Sequence, residues 1–156
     1  MCIRDSVPRE FGLPNKGKNR ITYVSCGSYH SFAIDTNKDV WSWGLNNFAE
    51  TGIAEGAGED EAYINKPTIV ESLSKYTIKE IKGGGHHSVA CTEDGKLLAW
   101  GRIDGHQVGV NVEDLDEDDI IKDARDEPRI LKTPTVISGK FYCYLRLVLH
   151  AFANPI

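Results

Sequence analysis

The chain is 156 residues long, 40% hydrophobic and carries a net charge of −5 at pH 7, which allows one ordinary core and gives no basic patch for gripping a nucleic-acid backbone by charge. No run approaches the roughly 18 consecutive apolar residues of a membrane span, and the first residues lack a basic-then-apolar secretion signal, so a soluble chain is expected. Cys2, Cys26, Cys91 and Cys143 lie far apart with no Cys-x-x-Cys pair, which argues against a zinc cage or a dense disulfide framework and for a reducing compartment, cytosol or nucleus.

Taken in chain order, residues 1–6 have no periodicity and are expected to be a lead foreign to the domain, and 7–20 read as an outer strand (Pro8-Arg9-Glu10-Phe11) and a linker. The runs 21–26, 31–35 and 40–43 are rich in β-branched and aromatic residues and predict three short strands, broken by turns at 27–29 and 36–39. A Gly/Glu-rich loop over 54–62 precedes a fourth strand at 67–70, where Pro67 is tolerated because an outer strand does not need its N–H. The same order returns at 78–82, 88–92 and 97–100, with an Asp94-Gly95 turn between the last two, and ends in a strand at 134–137. Between them, the segment 112–127 holds nine acidic residues (Glu113, Asp114, Asp116, Glu117, Asp118, Asp119, Asp123, Asp126, Glu127) against Lys122 and Arg125, and reads as a solvated, mobile insertion. Residues 140–156 carry no further copy of the pattern and are expected to lie outside the native fold.

Sliding the sequence by 57 residues superposes 21–53 on 78–110 without a gap and pairs Ile21/Ile78, Gly27/Gly84, His30/His87, Ser31/Ser88, Ala33/Ala90, Trp43/Trp100, Gly44/Gly101 and Gly52/Gly109. A repeat of four antiparallel strands at a period near 50 residues is the blade of a β-propeller. The all-β expectation is therefore about two complete four-stranded blades, repeat 1 over 21–77 and repeat 2 over 78–139 with the acidic insertion at 111–127, plus one outer strand of a preceding blade. Two blades alone leave sheet faces and edges uncovered, so the isolated pair is expected to be poorly stable.

The phrases Val24-Ser25-Cys26-Gly27-Ser28-Tyr29-His30-Ser31, Trp43-Gly44-Leu45-Asn46-Asn47-Phe48, Gly83-Gly84-Gly85-His86-His87-Ser88 and Trp100-Gly101-Arg102 resemble the repeat of the regulator of chromosome condensation family, and the likeness runs over about 7–139. The resemblance implies a seven-bladed ring of which two blades are present, and it is nearest to the fungal, chromatin-bound exchange factors for the small GTPase Ran. It further implies a nuclear protein whose partner is Ran, with histones or chromatin met through parts outside this chain, no membrane and no small-molecule substrate. Exchange of this kind is differential binding without covalent chemistry, so no catalytic residue and no cofactor is expected. The alternatives are a propeller interaction module, such as the scaffold of a ubiquitin ligase, and a truncated piece without activity of its own.

Candidate roles divide according to whether the two copies agree. Gly27, His30, Trp43 and Gly44, with Gly84, His87, Trp100 and Gly101, recur and read as scaffold: the glycines at tight turns or close backbone approaches, the histidines as bonds between blade elements. Tyr29 and His86 differ between copies and stand at a turn apex. In the resembled exchange factors this apex lines the face that contacts Ran, and a histidine there is associated with exchange. Asn46, Asn47 and Phe48, with their partners Ile103, Asp104 and Gly105, follow the third strand on a loop and are interface candidates, as is Arg102 for an acidic partner patch. A metal site from His86, His87 and His106 is disfavoured because neighbouring strand residues point to opposite faces, and Gly83-Gly84-Gly85 lacks the following Lys-Ser/Thr of a phosphate cradle.

Overall fold

The computed structural model of the chain describes residues 11–14, 17–109 and 111–138. The lead, most of the expected strand at 8–11 and the tail after 139 lie outside the described residues. The first copy forms a sheet of β1 (Ile21–Cys26), β2 (His30–Asp35), β3 (Val40–Leu45) and β4 (Tyr63–Ile69), each antiparallel to the next. The second forms β5 (Ile78–Gly83), β6 (His87–Thr92), β7 (Leu97–Arg102), β8 (Ile120–Lys122) and β9 (Pro128–Ser138) in the order β5-β6-β7-β9-β8. Registers repeat with the sequence: His30 faces Gly44 and Ser31 faces Trp43 in the first sheet, His87 faces Gly101 and Ser88 faces Trp100 in the second.

These are two blades of a propeller, and their main core lies between them. Phe32, Ile34, Val40, Val70 and Leu73 from the first blade pack with Ile78, Ile81, Ala90, Leu98 and Trp100 from the second into one buried cluster. Each sheet thus hides a face that it could not bury alone, which is how repeat architectures gain stability from neighbours. The Tyr23 hydroxyl donates to the Ile81 carbonyl at 3.0 Å, and the Ser28 N–H donates to the Gly84 carbonyl at 3.0 Å, so the seam is also hydrogen-bonded.

Two expectations change. The second blade has five strands, because β8 arises within the acidic segment and pairs with β9 through Ile120↔Leu131 and Ile121↔Ile130. The segment is also more structured than a mobile, solvated loop: it makes two short 3-10 turns, while Val112, Leu115 and Ile120 pack on the cluster of Val89, Leu97, Ala99 and Leu131. The physical reason is that its few apolar residues reach a sheet face while its carboxylates stay in water.

The turn glycines have a reason other than turn dihedrals. Gly27 and Gly84 do not adopt positive φ. A Cβ on Gly27 would meet the His30 ring at 2.5 Å, and one on Gly84 would meet the His87 ring at 2.3 Å. The glycine of Gly-x-x-His is therefore the floor on which the imidazole lies.

Candidate partner-docking surface

Two hairpin turns, one per blade, stand side by side at the same rim of the two sheets. Their apex residues are Tyr29, between β1 and β2, and His86, between β5 and β6. Each apex is pinned through its carbonyl: Leu45 N–H donates to Tyr29 O at 2.9 Å, and Arg102 N–H to His86 O at 2.8 Å. The Trp-Gly pairs make this possible. Gly44 and Gly101 have φ of 111° and 100°, and a Cβ there would lie 2.5 Å from Tyr29 O and 2.7 Å from His86 O. The left-handed backbone and the close approach both require glycine.

Beneath the apices runs a buried polar relay. His30, 2% exposed, places Nε2 at 2.8 Å from Ser88 Oγ of the next blade, and Ser88 Oγ donates to the Glu50 carbonyl at 2.8 Å. Since the serine proton goes to that carbonyl, Oγ accepts from His30, which carries its proton on Nε2. The Trp100 indole donates to the same carbonyl at 2.9 Å. Burial, reinforced by the charges of His87 and His86, lowers the His30 pKa to about 4, so the ring is neutral at physiological pH. The scaffold reading of His30 thus gains a concrete partner across the seam. Trp100 is fully buried in that seam, whereas Trp43 is half-buried, with Phe11 edge-on at 5.8 Å.

Above this relay five of the seven sequence candidates come together. Tyr29 is 60% exposed and stacks on His86 at a ring distance of 5.3 Å. Phe48 also meets His86, tilted at a ring distance of 4.9 Å, and the guanidinium groups of Arg102 and Arg129 lie 5.1 and 5.0 Å from the Phe48 ring. Arg102 Nε donates to Asp104 at 2.7 Å. Burial raises the Asp104 pKa, but hydrogen bonds from Arg102 and Gln107 and the charges of Arg102 and Arg129 outweigh it, leaving the carboxyl below its usual range. The result is a small aromatic and cationic patch on an acidic chain.

Asn46 is a correction. Its side chain is fully buried, donating to the Ile53 and Glu55 carbonyls at 2.9 and 2.8 Å and accepting from Thr51, so it braces the loop and has nothing left to offer a partner. Phe48, 8% exposed, contributes mainly as a platform for the two arginines rather than as an open face. Asn47 is half-buried beside the patch, and its carbonyl accepts from Gly58 N–H at 2.9 Å. Sequence reasoning missed two members, Arg129 and Glu50. Glu50 is fully buried, with Oε2 accepting from Phe48 N–H at 2.9 Å and Oε1 at 2.8 Å from His86 Nδ1. The repeat does contain a signal for Glu50, since the shift of 57 pairs it with Gln107; Arg129 has no such counterpart.

Known proteins resemble this chain in sequence and in fold. The family described as "Regulator of chromosome condensation (RCC1) repeat" matches residues 21–50 and 78–106, and a second description of the same repeat matches 38–91. Protein pim1 of Schizosaccharomyces pombe is 48% identical over 137 residues, covering 88% of this chain and 24% of its own length. Guanine nucleotide exchange factor SRM1 of Saccharomyces cerevisiae is 34% identical over 132 residues, covering 85% of this chain and 26% of its own. The crystal structure of Prp20p from Saccharomyces cerevisiae, described with its binding to Gsp1p and histones, matches with a TM-score of 0.71 and 33% identity over 78% of this chain and 28% of that one. Human HERC4, a probable E3 ubiquitin-protein ligase, is 33% identical, with 11% of its length covered. The chain spans about a quarter of the two fungal relatives.

Proposed function

Because the chain belongs to the family of regulator of chromosome condensation (RCC1) repeats, we propose that it is part of a guanine-nucleotide exchange factor for the small GTPase Ran. The reading draws on the exchange-factor relatives and on one observation in particular: Tyr29, His86, Phe48, Arg102 and Asp104 gather at a single rim, on turns whose backbones are pinned. A rigid surface of this kind promotes release by binding the GTPase more tightly when its nucleotide pocket is empty, so that docking energy is withdrawn from the nucleotide. The Arg102–Arg129 pair suits acidic groups on the GTPase, and the Tyr29–His86 stack supplies aromatic contact area. Nuclear residence and a chromatin-linked role follow from the same reading.

The test is release of a fluorescent guanine nucleotide from Ran, driven by the full-length protein that carries these residues. Replacing His86 by Ala should slow release by about 30-fold, the equivalent of a ~2 kcal/mol hot spot. An unchanged rate together with unchanged Ran affinity would remove His86 from the docking face. Unchanged release on substituting Tyr29 and Arg102 as well would favour the ligase-scaffold alternative.

A further inference from the structure

Glu50 and Gln107 occupy the same position in the two blades, and the structure shows what each does there. In the second blade Gln107 Oε1 accepts from Gly105 N–H at 2.9 Å, two residues back, and its amide nitrogen faces outward to Asp104 at 3.4 Å. In the first blade Glu50 Oε2 makes the same bond to Phe48 N–H at 2.9 Å, and its other oxygen meets His86 Nδ1 at 2.8 Å. The loop therefore needs only one acceptor from this position, and glutamine supplies it. The carboxylate adds a second acceptor, aimed across the seam at the imidazole.

We infer that Glu50 is a positioning residue that holds a proton on His86 Nδ1 and so leaves Nε2 as the atom offered to the partner; this rests on the exchange reading of His86. A carboxylate offers only acceptors, so Nδ1 must donate, whereas the outward atom of a glutamine is a donor and would impose the opposite tautomer. The hold is firm on the protein side: Glu50 is fully buried, its own carbonyl is fixed by Ser88 and Trp100, and His86 touches the rings of both Tyr29 and Phe48. With Tyr29 stacked on the ring, Phe48 in tilted contact and one nitrogen bonded, His86 enters docking already oriented, which removes an ordering cost that a free side chain would incur.

The test is Glu50→Gln in the full-length protein. Gln107 demonstrates that glutamine satisfies the loop, so the variant should fold. Two quantities are measured: the ¹⁵N shifts of the His86 ring, assigned by comparison with His86→Ala, and the rate of Ran nucleotide release. Nδ1 should carry its proton in the parent and lose it to Nε2 in the variant, and release should slow by about tenfold, the scale on which losing an orienting partner disturbs a functional histidine. In a His86→Ala background the same substitution should change release no further. The inference is overturned if the ring shifts and the rate are both unchanged, or if Glu50→Gln slows release equally when His86 is already absent. If His86→Ala leaves release untouched, the exchange reading fails instead, and the ring shifts still decide whether Glu50 sets the tautomer.

Discussion

Lowering the pH from 7 to 4 should weaken the seam between the blades through His30. The unfolded chain takes up a proton there near the ordinary value of 6.5, whereas the buried ring resists it down to about 4. Between those values the unfolded state binds more protons, so stability falls as pH falls and levels off below the folded value. Linkage over this window gives a loss of about 1.4 kcal/mol by pH 5.5 and about 3 kcal/mol by pH 4. The assay is denaturant unfolding at pH 7, 5.5 and 4 for the full-length protein and for His30→Gln. Glutamine cannot titrate but retains an N–H donor for Ser88 Oγ, and other titrating groups are shared by both proteins. At pH 7 the variant should be less stable by about 1 kcal/mol, because it loses the ring packed edge-on against Phe32 at 5.4 Å. By pH 5.5 the two should be about equal, and at pH 4 the variant should be the more stable. A difference that stays constant from pH 7 to 4 would refute the burial argument, and a widening one would mean that protonation strengthens the seam.

Gly84→Ala should lower stability by about 1–3 kcal/mol in thermal unfolding, since a methyl group 2.3 Å from the His87 ring must displace a packed imidazole. Asn46→Ala should cost about 3 kcal/mol by denaturant unfolding, because it strands the Ile53 and Glu55 carbonyls and the Thr51 N–H around a fully buried site. Ile121→Ala should cost about 1 kcal/mol and raise amide exchange in β8, because Ile121 packs on the cluster of Phe48, Ala49 and Ile130; unaltered exchange would return the acidic segment to the status of a solvated loop.

The blade architecture was legible because it is written twice: the strand-forming runs and the shift of 57 locate six of the nine strands closely and the outer strands β4 and β9 in part. The fifth strand was not, because three residues in an acid-rich stretch give no alternation, and only their register with β9 makes Ile120 and Ile121 a strand. Asn46 misled for a related reason. A polar residue on a loop has the same composition whether it faces water or braces the loop from within, and only the positions of Ile53, Glu55 and Thr51 decide. Gly27 and Gly84 read as turn glycines in the sequence, yet what requires glycine there is a contact between residues three apart rather than their own dihedrals.

The comparison of the two copies also locates the candidate site in a way that neither copy could alone. Positions that agree, such as His30 and Trp100, reach the neighbouring blade, and the interactions they make hold one blade on the next. Positions that differ meet one another at the top of that same seam: Tyr29 of the first blade stacks on His86 of the second, and His86 bonds to Glu50 of the first. The Glu50/Gln107 difference therefore has an effect only because the next blade presents His86, its counterpart in the first copy being Tyr29. A single blade could not assemble this arrangement, since the carboxylate and the imidazole come from different repeats. The smallest unit able to assemble the proposed docking surface is thus a pair of adjacent blades, and the relay from His30 through Ser88 reaches the carbonyl of the same Glu50 whose carboxylate meets His86. Weakening that relay should disturb the tautomer of His86 as well as the stability of the seam, which ties the acid sensitivity of His30 to the orientation of the exposed histidine.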